Sequence, residues 1–100
     1  GSEYVKDSWS SAWGSGTAAE TAALKAGFIT PYASSAVDED FVELIAVYVT
    51  NTEAYWQSRI KTAGTNGAPI INSKFETTCL IHGTLILIYC AIQCSTIKIE

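Results

Sequence analysis

The chain has 100 residues, of which 48% are apolar and 16% charged, with seven Gly and two Pro. That balance suits one small globular domain and excludes long disorder, because there is enough apolar surface to offset chain entropy. Six Lys/Arg against ten Asp/Glu give a net charge of −4 with no basic run, which excludes a nucleic-acid or anionic-membrane surface.

In chain order, Gly1-Ser2 reads as a cloning remnant, and the missing initiator Met as the sign of a chain cut from a longer one. No signal peptide is visible. The stretch from Gly1 to Gly16 is rich in Ser, Gly, Trp and Tyr and reads as a packed loop. Its Tyr4, Trp9 and Trp13 are spaced to lay rings on a neighbouring element. "TAAETAALKAGF" then has Thr17 and Glu20 at capping-box spacing, strong helix formers, and Gly27 as the stop, which predicts a helix from about Ala18 to Ala26.

The loop "ITPYASSA" leads to a helix from Val37 or Asp38 to Val49, with Ser35 as its cap and Asp38 three residues on. A third helix, "NTEAYWQSRIKTAG", is capped by Asn51 or Thr52 and ended by Gly64; Tyr55, Trp56, Ile60 and Ala63 give it an apolar stripe. "TNG" reads as a turn. "APIINSKFETT", with Pro69 near the first helical position, starts a fourth helix.

After Thr78 the character of the sequence changes. "CLIHGTLILIYCAIQCSTIKIE" holds all three Cys, the only His and a long apolar run without caps. Its β-branched content favours strand, with helix as the alternative. As a membrane span it is too short and is broken by His82, Gly83 and Gln93. The expectation is therefore a mainly α domain over 1–78, with about four helices, and a separate apolar tail over 79–100.

The second helix poses a chemical question. Glu39, Val42, Glu43 and Ala46 share one stripe, while Phe41, Leu44, Ile45 and Tyr48 form the larger opposite face. Two carboxylates one turn apart repel mildly, and burying either one unpaired costs several kcal/mol. A cation, a histidine or a metal would relieve them. Equally, Glu39 can sit in the first turn because the helix dipole favours an acid there, with Glu43 facing water and Tyr32 packed on its loop.

The segment from Tyr4 to Glu76, and "GFITPYASSAVDEDFVELIAVYVT" above all, resembles the downstream half of the zinc-binding metallopeptidases found as surface lipoproteins beside substrate-import systems. The spacing from Tyr32 to Glu39 and on to "DFVE" is also similar to lethal-factor-type peptidases of the gluzincin class. In that class an H-E-x-x-H helix supplies two zinc-binding His and the Glu that activates water, and a later helix supplies a third ligand. The resemblance thus implies Glu39 as a zinc ligand, Glu43 as the acid that orients a ligand His, and Tyr32 as donor to the oxyanion. It also implies a peptide or protein substrate and a bacterial cell-surface or periplasmic location.

One departure limits this. No H-E-x-x-H is present, and His82 has no partner at metal-helix spacing. The chain by itself is expected to be inactive: either part of such a hydrolase or a non-catalytic surface or interaction domain that kept the scaffold. The tail departs from the family as well. With synonymous codons chosen freely and the bases read shifted by one, Cys79 to Glu100 becomes "LFDTRDIDIDILRDTVQYDQNR", which resembles the family's acidic-basic ending. A frameshift is therefore expected, and Cys79, Cys90, Cys94 and His82 are not read as a site. As it stands, "TLILIYCAI" is an ungated β-prone run that favours self-association into a homo-oligomer.

Overall fold

The structure, a computed structural model, describes residues 3–81. The described chain is helical with no strand, as the sequence predicts. A 3₁₀ turn at Lys6–Ser8 leads into a short helix α1 (Trp9–Ala12), followed by α2 (Gly16–Lys25), a second 3₁₀ turn at Tyr32–Ser35, α3 (Val37–Thr50) and α4 (Glu53–Ile81). The N-terminal stretch is thus not simply a loop. Its aromatics do pack as expected: Tyr4 and Trp13 meet the Phe28 ring with centroids at 5.5 and 5.9 Å, and Trp9 meets Tyr32 at 5.0 Å.

α2 is built from Ala, so it can lie close to a neighbour; it buries Ala19, Ala23 and Leu24. It starts at Gly16 after Ser15, with no side-chain cap, so the predicted box of Thr17 and Glu20 does not form. The reason is positional, since Thr17 already lies inside the first turn. Gly27, at φ 96°, ends the helix region as predicted. The cap expected of Ser35 is also absent. Ser35 belongs to the preceding 3₁₀ turn, and Ala36, in extended backbone, takes the cap position of α3.

α4 is two helices joined at one residue. Gly64 alone leaves helical backbone, at φ 73° and ψ −166°, a region open to Gly because it lacks a Cβ. The Thr52 hydroxyl accepts the Tyr55 N–H at 3.1 Å, the predicted cap. "TNG" is not a turn, however, because Gly64 takes up the whole change of direction and residues 65–67 re-enter helix at once. Pro69 consequently lies inside the helix rather than at its first position. Helix continues through residue 81. Residues 82–100, and with them His82, Cys90, Cys94 and the apolar run of the tail, lie outside the described residues.

Two contacts hold the halves together. Tyr48 of α3, Trp56 of the first half of α4 and Phe75 of the second form a triangle of edge-to-face rings with centroids 4.5 to 5.4 Å apart. Each such pair adds about 1 kcal/mol beyond its burial. On the other side, α2 packs against 65–81 so closely that a Cβ on Gly67 would overlap the Leu24 carbonyl oxygen and crowd the Ala63 Cβ at 3.1 Å. Among the described residues no helix is long and apolar enough to cross a membrane.

Gly67→Ala is expected to destabilise the domain by about 3 kcal/mol, because the obstacle is backbone and cannot rotate away; urea unfolding measures it. An unchanged midpoint would mean that α2 and α4 do not approach in this way.

Candidate active site

The site forms where the loop after α2 meets the start of α3. Thr30 begins it: the Ala33 N–H reaches the Thr30 carbonyl at 3.2 Å and the Thr30 hydroxyl oxygen at 3.1 Å. Ser34 repeats the pattern on Pro31, and its hydroxyl in turn accepts the Trp13 indole N–H at 2.9 Å. Local side-chain bonds of this type fold Thr-Pro-Tyr-Ala-Ser into a tight turn. Ala33 and Ser34 are buried by it, and Tyr32 is left at the surface, 37% exposed.

The turn delivers Tyr32 onto the half-buried flank of α3. The Tyr32 hydroxyl lies within reach of the Glu39 carboxylate, whose interaction with it is the largest cause of a phenol pKa raised above its ordinary value; desolvation and the charges of Glu39 and Glu43 add to it. The Thr30 hydroxyl donates to Glu43 Oε2 at 2.8 Å, which ties the second carboxylate to the same turn. Glu39 and Glu43, singled out by spacing, and Tyr32, implied by the resemblance, are thus brought together. The partner of Glu43 here is Thr30, which the sequence reading passed over although a Thr three residues ahead of a small residue in "TPYA" is an ST-turn signal.

Behind the site lies a buried ion pair that the sequence reading also missed. Asp40, 1% exposed, faces inward on one stripe with Leu44 and Tyr48. Asp40, rather than Phe41, therefore starts the buried face of α3. Its Oδ2 takes the Lys74 ammonium at 2.7 Å and the Tyr4 hydroxyl at 2.8 Å. Lys74 also donates to the Gly27 carbonyl at 2.8 Å and lies over the Phe28 ring at 4.2 Å. Burial lowers the Lys74 pKa, and the bond and charge of Asp40 oppose the shift. Tyr4 is pushed well above its usual range, first by burial and then by its bond to Asp40 and that charge. The signal was available: an Asp four and eight residues ahead of buried Leu and Tyr requires a cation.

A catalytic zinc takes three protein ligands, usually with imidazoles among them. Among the described residues no group of three His, Cys, Asp or Glu side chains is placed to hold a metal, so they do not make a zinc site alone. What they offer is one wall: two carboxylates and a protonated phenol converging at the surface of a helical scaffold. Such a wall suits one side of a hydrolase site. The chain belongs to the family described as "putative zinc-binding metallo-peptidase", which matches residues 1–79. Comparison with curated proteins and with solved structures gave no match.

Lys74→Met is expected to cost about 3 kcal/mol, because it strands a buried carboxylate, and the double variant Asp40→Asn with Lys74→Met to recover part of the loss; chemical denaturation of the three proteins tests the pair. Alkaline pH gives a second test. A phenol whose folded pKa is raised contributes stability that is complete below its unfolded value of 10.0 and is lost as pH rises toward the folded value. Lys74, with its folded pKa lowered from 10.5, acts in the opposite sense. Tyr4→Phe should therefore flatten the fall in stability above pH 10; an equally steep fall would mean that the Tyr4 phenol is not held with a raised pKa by its burial beside Asp40.

Proposed function

We propose that this chain supplies one side of a zinc-dependent peptidase site of the gluzincin type, with Glu39 as a metal ligand, Tyr32 as donor to the developing oxyanion, and Glu43 as the acid that orients a ligand histidine. The gathering of Tyr32, Glu39 and Glu43 at one turn, with the Thr30 hydroxyl tying Glu43 to that turn, carries this reading, together with membership of the metallopeptidase family. The histidines would come from outside the described residues, in a longer protein carried at the bacterial surface. A zinc ion in such a site polarises the peptide carbonyl and activates water.

The chain's own groups fit these tasks. The Tyr32 phenol is a donor at neutral pH, and the turn that carries it is fixed by the bonds of Thr30 and Ser34, so only its single proton has to swing from Glu39 to the oxyanion. The Thr30 hydroxyl has a single proton, given to Glu43 Oε2, so the remaining carboxylate oxygen can take an imidazole N–H. That is the arrangement by which an outer carboxylate fixes a ligand tautomer.

In the full-length protein Glu39→Ala should abolish zinc retention, read by elemental analysis; unchanged metal content removes Glu39 from the site. Tyr32→Phe should keep the metal and lower kcat by about 10²-fold to 10³-fold. A second reading is a non-catalytic surface domain that retains the scaffold. It predicts no zinc in the full-length protein even with Glu39 intact.

A further inference from the structure

Beside Tyr32 lies an open-sided groove of about 630 Å³ that the proposed chemistry does not use. Tyr4, Trp9, Tyr32 and Val37 line it together with the polar Lys6, Asp7 and Ser35. Tyr32 belongs to both places: its hydroxyl meets Glu39, while its ring stands edge-to-face on Trp9 at 5.0 Å. An occupant of the groove is thus separated from the Glu39 carboxylate by one aromatic ring.

The walls are preorganised rather than free to collapse. The Val5 N–H bonds the Ser34 carbonyl at 2.8 Å, Tyr4 is tied to Asp40 and Trp13 to Ser34, so the N-terminal segment is fastened along the Tyr32 turn. Lys6 holds φ 49°, a left-handed conformation uncommon for a residue with a side chain. Strain of this kind persists where surrounding contacts impose it, often beside a ligand clamp. The volume falls within the range of pockets that take small ligands, and such pockets are largely apolar with few polar groups. Lys6 and Asp7 in the lining offset one another, so the groove carries no net formal charge.

We propose that this groove binds a large apolar side chain, aromatic or long aliphatic, of a peptide substrate at a residue flanking the bond to be cleaved. The inference rests on the peptidase reading for the identity of the ligand, but the groove's binding needs no metal. A sugar ring stacked on Trp9 is the competing occupant, and a lining with three aromatic rings and Val37 but only one charge of each sign favours the side chain.

The test titrates the folded chain with N-acetyl-phenylalaninamide, N-acetyl-aspartamide and a methyl glucoside, read by amide and indole chemical shifts. The phenylalanine probe should saturate with shifts at the Trp9 indole and at Ala36 and Val37, about tenfold more tightly than the aspartyl probe. Trp9→Ala should weaken it about tenfold. Val37→Asp, an exposed substitution in the first turn of α3 where an acid is tolerated, should do the same without loss of fold. Equal binding of both peptide probes, shifts away from the groove, or saturation by the glucoside alone would overturn the proposal. Glu39→Gln separates the two readings, since loss of zinc from the full-length protein with probe binding intact concerns only the metal. Probe binding that is absent while zinc is retained defeats the groove alone.

Discussion

The contact of Lys74 with Asp40 is the point at which the four parts of the chain meet. Asp40 comes from α3, Lys74 from the second half of α4, Tyr4 from the N-terminal segment, and the Gly27 carbonyl and Phe28 ring from the end of α2. A buried ion pair contributes little net stability, because desolvating two charges offsets most of their attraction. What it contributes is uniqueness. One ammonium satisfied by one carboxylate, one carbonyl and one ring permits a single arrangement of these elements, which an Ala- and Leu-lined core alone would leave free to slide.

The exposed site follows from that arrangement. Successive residues of a helix are about 100° apart, so pinning Asp40 inward turns Glu39 and Glu43 toward the half-buried flank of α3, where Thr30 and Tyr32 meet them. The turn from Thr30 to Ser35 is then laid on α3 by its own hydroxyl bonds, and Tyr32 has no choice but to face the two carboxylates. Buried charge and surface chemistry are therefore parts of one design.

Helix content was legible because its signals are local. Ala-rich runs, Gly27, Gly64 and the Thr52 cap each act within one turn of chain, and the structure has them where the sequence places them. Two capping motifs were misplaced by a residue or two, since Ser35 is engaged by an earlier turn and Thr17 lies past the start of α2. "TNG" misled because its composition favours turns, whereas tertiary contact with Leu24 demands the small Gly67 inside a helix. Asp40 escaped notice among the four acids of the six-residue stretch "DEDFVE", because which of them turns inward is decided by a lysine 34 positions away. Glu39 and Glu43 stood out by their spacing and Tyr32 by the family resemblance alone; the three lie close because a turn and a helix that abut in sequence also abut in space.

The three tryptophans occupy three different junctions. Trp56 is sealed among Tyr48 and Phe75 where α3 meets α4, Trp13 donates its indole to Ser34 under the N-terminal segment, and Trp9 edges the groove against Tyr32. Their surroundings grade from dry to wet, so their emission should differ in colour and in access to quenchers. With single-tryptophan variants, docking of the last helix, fastening of the first segment and filling of the groove become three separate optical signals within one small chain.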